Sequence, residues 1–156
     1  MPDVASTVTL ARTALYAGLL AGALDITAAI VTNLQVPARV VLQSVASGWM
    51  GRAAYQGGWP AAGLGLASHF AIMVVIAVIF VAAAVAIPAL RRFWIPVGMV
   101  FGVAVWLAMT FLVVPMSASP LTPPADLMTT LKPVAVHILA VGLPIAWVAR
   151  RMLGAG

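Results

Sequence analysis

The sequence predicts an all-α integral membrane protein, a four-helix transmembrane bundle with one interfacial amphipathic helix between spans 1 and 2. Of the 156 residues, 64% are hydrophobic and only 7% are charged, whereas soluble domains are about half apolar and about a quarter charged. Four stretches reach about the 20 mostly apolar residues that cross a bilayer. None of them alternates with a period of two residues, so helices are favoured over a membrane barrel.

The four predicted spans cover residues 13–32, 65–89, 93–114 and 131–148 of a single domain, residues 1–156. Charged or polar residues and prolines bound them, for example Pro115 after the third span and Arg150 after the fourth. A cleaved signal peptide is an alternative for the N-terminus, because Arg12 precedes an apolar run. We disfavour it, since the apolar run resumes after Asp25 and reaches full length.

The segment between spans 1 and 2 predicts a further helix over about residues 38–50. Pro37 suits the start of a helix. Apolar side chains recur every four residues at Val41, Val45 and Trp49. Polar side chains recur with the same spacing at Arg39, Gln43 and Ser47. Such a helix is amphipathic and fits the membrane interface. We favour a helix that seals one end of the bundle over a gate or substrate lid.

The connection between spans 3 and 4 is rich in proline and is expected to be extended. Thr122 before Pro123 predicts the start of a short helix that leads towards the fourth span.

Charge placement predicts the orientation. Five arginines fall on the side of the two termini, and three basic residues fall on the other: Arg12, Arg91, Arg92, Arg150 and Arg151, against Arg39, Arg52 and Lys132. Because basic loops stay in the cytoplasm, both termini are expected there. Anchoring to lipid headgroups explains the net charge of +5, so the lipid bilayer is a predicted partner and nucleic acid is not.

Three ionisable side chains lie inside predicted spans: Asp25, His69 and His137. Such residues are costly in a membrane and indicate a partner or a pathway. At about 1.5 Å per residue, each lies roughly 6 to 10 Å below the same membrane face. We therefore predict that they form one layer of the bundle, which is a candidate site for a ligand or an ion.

Four interpretations of this layer stay open. Asp25 accepts a hydrogen bond from one histidine and only fixes helix register, or the Asp–His couple handles protons or ions near neutral pH. Alternatively, His69, His137 and Asp25 bind a divalent metal such as Zn²⁺ or Fe²⁺, or the two histidines ligate haem b. No hydrolase, protease or phosphate-loop motif is present, so no catalytic residue is predicted and an enzyme is not favoured.

Small residues predict where helices meet. Gly18 and Gly22 in span 1, Gly98 and Gly102 in span 3, and Gly65 on the face of His69 are predicted helix-packing positions. These faces predict a subunit or scaffold that acts by helix association in a homo-oligomer or a larger membrane complex. The alternative function is a transporter-like, metal- or haem-b-binding membrane protein that uses the Asp25, His69 and His137 cluster.

The segments GLLAGALD (residues 18–25), LQSVASG (residues 42–48) and HILAVGLPI (residues 137–145) resemble small four-span bacterial membrane proteins whose function is unassigned. The resemblance covers most of the chain. It implies a multi-pass protein of the bacterial inner membrane, and it implies no activity or catalytic residue.

Overall fold

The protein is an all-helical bundle in the part of the chain that the computed structural model describes, residues 4–154 without the side chains of residues 4–6 and 128. Four helical stretches are long and apolar enough to cross a membrane: Thr7–Val31, Gly58–Ala86, Trp94–Met116 and Thr129–Leu153. The predicted all-α fold with four membrane-spanning helices is confirmed. Residues 1–3, 155 and 156 of the predicted single domain lie outside the described range.

The helices in chain order are α1 (Val4–Val31), α2 (Ala38–Met50), α3 (Gly58–Ala86), α4 (Ala89–Arg92), α5 (Trp94–Ala108), α6 (Val114–Met116), α7 (Leu127–Val136) and α8 (Leu143–Leu153). A 3₁₀ segment, Gly51–Gln56, joins α2 to α3. Two π-helical segments complete the third and fourth spans: Met109–Val113 and His137–Gly142.

Both π segments lie just before a proline. Pro115 and Pro144 have no N–H to donate to the carbonyl four residues earlier, which belongs to Phe111 in the first segment and Ala140 in the second. The proline ring also crowds that carbonyl. A wider turn accommodates both effects, which explains why the α spacing is interrupted at these two places.

The first span lies between its neighbours. α1 packs against α3 on one side and against the second π segment and α8 on the other. α5 packs mainly on the second π segment and α8, and a groove separates it from α3. The buried core along α1 consists of small side chains such as Ala14, Ala17 and Ala21, so the helix backbones lie close together.

Helix α2 lies at the predicted position, with Gln43 and Ser47 of its predicted polar face turned inward and Arg39 exposed. Gln43 and Ser47 are 1% and 0% exposed, whereas Trp49 is 71% exposed. The Gln43 side-chain amide donates to Gly58 O at 3.0 Å, and the Ser47 and Ser119 hydroxyls lie 2.9 Å apart. Lipid offers no hydrogen bonds, so polar groups face the protein and apolar ones face outward.

The helix that opens the fourth span begins later than predicted. α7 starts at Leu127, and Asp126 is its N-cap, with the carboxylate accepting from Thr129 N at 2.9 Å. The prediction of a helix start at Thr122 was wrong. Pro124 directly follows Pro123, and a residue before proline is disfavoured in the helical conformation.

Candidate functional site

The structure places Asp25 near both predicted histidines, beside His69 and in one cavity with His137. Asp25 on α1 and His69 on α3 are 8% and 7% exposed, and Asp25 Oδ2 lies 4.0 Å from His69 Nε2. This distance is too long for a hydrogen bond. Instead, His69 Nε2–H donates to Gly22 O at 2.9 Å, since a carbonyl can only accept. His69 is therefore held by the backbone of α1, one turn from Asp25.

Two glycines of α1 permit this close approach. A Cβ on Gly18 would lie 2.6 Å from Val74 Cα, and a Cβ on Gly22 would lie 2.8 Å from the Phe70 ring. A side chain at Gly18 would push the main chain of α3 away, and one at Gly22 would displace the Phe70 ring. The small residues of α1 thus bring His69 within reach of the Gly22 carbonyl.

His137 is the first residue of the second π segment. Its Nδ1–H donates to Pro133 O at 2.9 Å, which leaves Nε2 as a hydrogen-bond acceptor when the ring is neutral. The main chain of His137 packs directly on α5, because a Cβ on Gly102 would lie 2.6 Å from His137 O. The position of His137 is therefore set by the proline before it and by the glycine opposite.

Asp25 and His137 line one cavity of about 570 Å³ between α1 and α7. We call it the Asp25 cavity. It lies where α1 ends and α7 begins, at the end of the bundle opposite the termini. Its remaining lining residues are Ala29, Thr32, Asn33, Thr129, Lys132, Pro133 and Val136. His69 does not line this cavity and lies behind Asp25.

Lys132 and Asn33 are cavity residues that the sequence analysis missed. The Lys132 ammonium donates to Thr32 O and lies 3.4 Å from Asn33 Oδ1. It therefore binds the carboxyl-terminal end of α1, where helix carbonyls favour a cation. A signal was present in the sequence: residues 25, 29, 32 and 33 share one helical face, and residues 129, 132, 133, 136 and 137 share another.

Two hydrogen-bond acceptors in the cavity remain available. Within the described part of the chain, no residue donates a hydrogen bond to the Asp25 carboxylate. His137 Nε2 is the second acceptor. The Lys132 ammonium directs two of its three N–H groups at the end of α1. A ligand that carries hydrogen-bond donors or a positive charge would complement this arrangement.

The geometry does not favour a metal ion held jointly by Asp25, His69 and His137. Among residues 4–154, no three or more His, Cys, Asp or Glu side chains are grouped to hold a metal ion. His69 is buried with its ring centroid 5.6 Å from that of Phe70, and its Nε2 is bonded to Gly22 O. His69 Nε2 is therefore engaged by the backbone of α1 and not by a metal shared with His137.

The predicted helix-packing glycines all lie at contacts within this chain. Gly18 and Gly22 face α3, and a Cβ on Gly65 would overlap Leu42 O of α2. A Cβ on Gly98 would lie 3.0 Å from Gly142 O, and Gly102 also faces the fourth span. The small-residue faces are therefore occupied by the chain's own helices.

The chain matches no family model, no curated protein and no solved structure. Its function is therefore inferred from its own residues and contacts.

Proposed function

We propose that this protein is a multi-pass membrane protein whose Asp25 cavity binds a small organic cation. The observation that carries the proposal is that the Asp25 carboxylate and His137 line one cavity of about 570 Å³. Cavities of about 300 to 1,000 Å³ are typical of small-molecule sites. An ammonium group would donate to the Asp25 carboxylate and to His137 Nε2, neither of which accepts a hydrogen bond from a described residue. The other ring nitrogen of His137 donates to Pro133 O.

An organic ammonium suits the cavity better than a bare metal ion. Lys132 lines the same cavity, and its charge repels a divalent metal ion about twice as strongly as a monovalent ammonium. An ammonium ligand also forms directional hydrogen bonds to two acceptors. The thermodynamic gain comes from pairing a buried carboxylate that otherwise has no donor.

We place the protein in the bacterial inner membrane with both termini in the cytoplasm. The support is the basic end of the bundle, where Arg91 Nη1 donates to Leu153 O at 2.6 Å and Arg150 lies over the Trp94 ring. Basic and aromatic residues of this kind are typical of the cytoplasmic interface. In this orientation the Asp25 cavity opens to the periplasmic side.

Binding, rather than conduction through a single copy, is the proposed activity. On the terminal side of Asp25, α1 is sealed by Ala17 and Ala21, both 0% exposed, and by Thr13, whose hydroxyl donates to Thr9 O at 2.8 Å. Such close packing is typical of a dry helix contact. Transport would therefore require a rearrangement or a homo-oligomer.

The test is calorimetric titration of the full chain in lipid nanodiscs with methylammonium chloride. Asp25→Asn should weaken binding at least about tenfold, because the charge-assisted hydrogen bond is lost. Asp126→Asn is the matched control: the same chemical change at the same end of the bundle, with an amide that still caps α7. The proposal is wrong if the parent does not bind methylammonium, or if both variants bind it as the parent does.

A subunit or scaffold function is the second candidate, with a homo-oligomer or a larger membrane complex as partner besides lipid. One observation favours it. Only 22% of the residues in the most apolar 18-residue stretch of the third span are buried within the bundle. Because the small-residue faces are engaged internally, such contacts would use the outer surface of α5. Subunit counting by photobleaching in nanodiscs tests this, and a single copy per disc at all protein-to-lipid ratios would exclude a homo-oligomer.

A further inference from the structure

A continuous groove runs along the bundle between α3 and α5. It consists of three adjoining cavities of about 630, 530 and 430 Å³. The first and second share Ile72 and Met109, and the second and third share Ile79 and Ala104. We call it the α3–α5 groove. It exists because α5 packs mainly on the fourth span instead of on α3.

The two ends of the groove differ in chemistry. One end reaches Ser44 and Ser119, beside α2 and the connection after the third span. The other end reaches Leu90 and Pro96, which flank the short connection from α3 to α5. This connection contains α4 with Arg91 and Arg92 in its last turn. The chain topology therefore places two positive charges at one mouth of an apolar groove.

Both arginines have donor capacity left. Arg91 uses Nη1 to donate to Leu153 O, and its buried Nε–H has no hydrogen-bond partner among the described residues. Arg92 is exposed, with its guanidinium 5.5 Å from the centre of the Phe93 ring. Because this Nε–H is buried, a phosphate oxygen, a strong acceptor for guanidinium groups, would bind the exposed Arg92 and the remaining Nη2 group of Arg91.

We propose that the α3–α5 groove binds one anionic phospholipid, with its phosphate at Arg91 and Arg92 and one acyl chain along the groove. The length agrees with this occupant. Ala83 and Ala71 mark the two ends of the second and third cavities on α3, and this distance is about 18 Å at helical rise. The hydrocarbon of one leaflet is about 15 Å thick, so an acyl chain of the leaflet on the side of the termini covers most of this length.

The test compares phospholipids in native mass spectrometry of the full chain released from nanodiscs. The parent should retain one phosphatidylglycerol in preference to phosphatidylcholine. Arg92→Gln should lower phosphatidylglycerol retention about fivefold, the effect of one basic residue near an anionic surface. Arg39→Gln, a change of an exposed arginine at the opposite end of the bundle, is the matched control and should have no effect.

A second variant tests the acyl chain separately. Ala104 lines the groove where the second and third cavities meet, so Ala104→Trp should block the groove and lower retention of any lipid. Unfolding midpoints of all variants establish that they are folded. Equal retention of the two lipids by the parent overturns the proposal. Displacement of the bound phosphatidylglycerol by millimolar inorganic phosphate also overturns it, as does a groove occupied by a second copy of the chain.

Discussion

A single added methyl group at Gly65 should separate α2 from α3. In the structure the two helices touch backbone to backbone, so a Cβ at Gly65 would overlap Leu42 O and would lie 2.9 Å from Leu42 C and 3.1 Å from Ala46 N. Atoms in van der Waals contact are about 3.5 to 4.0 Å apart, so α2 would have to move by roughly an ångström or more to relieve the overlap with Leu42 O. The atoms in the way belong to main chain and cannot rotate aside.

Gly63 offers a matched control two residues earlier in α3. A Cβ on Gly63 has no other atom within 4 Å. Both substitutions gain the helix propensity of alanine, up to about 1 kcal/mol, so the difference between them isolates the clash. Overpacking typically costs about 1 to 3 kcal/mol. We expect Gly65→Ala to be less stable than Gly63→Ala by that amount.

The assay is reversible unfolding in mixed micelles with increasing sodium dodecyl sulfate, followed by circular dichroism. Amide hydrogen exchange locates the change, which should be faster exchange in α2 for Gly65→Ala alone. Trp49 should also lose its hydrogen bond to Ser68 Oγ, now 3.0 Å long. Equal unfolding free energies for the two variants, with equal exchange in α2, would refute the backbone contact.

Three further changes test the site and the topology. His69→Ala should lower the unfolding free energy by about 1 to 3 kcal/mol, because the hydrogen bond to Gly22 O is lost and a cavity is left. In a double-mutant cycle with Asp25→Asn, the two effects on the unfolding free energy should not be additive. Strict additivity would contradict the proximity of the two residues. Lys132→Met should destabilise the protein by up to about 1 kcal/mol because its contact with α1 is lost, whereas Arg52→Gln should have no such effect. Equal unfolding midpoints for the two variants would contradict a stabilising role of the Lys132 contact. A phosphatase that is active only in the periplasm should be inactive when it is fused after Gly156. An active fusion would reverse the proposed orientation.

The number of spans and the helix between the first two were predictable because each has a local cause. Long apolar stretches between charges need no knowledge of neighbours to be identified as spans. The bounds of α2 follow from Pro37 at its start and from Gly51 at its end, where φ is +58°. The depth of Asp25 and His69 followed from helical rise alone, and they lie 4.0 Å apart.

The arrangement of the helices was not predictable, because the spans are apolar around their whole circumference. On α3, for example, Val75 and Ile79 are 58% and 60% exposed, and nothing in their chemistry distinguishes them from buried Phe80. The inward face of α2 was also not evident, since the sequence marks a polar face without telling whether water or protein meets it. Lys132 was interpreted only as an orientation charge, although its spacing to His137 places both at one cavity.

The π turn at His137–Gly142 changes the phase of the fourth span. An α-helix rotates by about 100° per residue, so one extra residue in a turn rotates everything beyond it by about that angle. Before the turn, Lys132 and Val136 face the first span's polar end. After it, Ile145 and Ala146 face the core at 0% and 1% exposure. A single helix thereby presents unrelated surfaces to two neighbours, and removing one residue from the turn would force it to give up one of them.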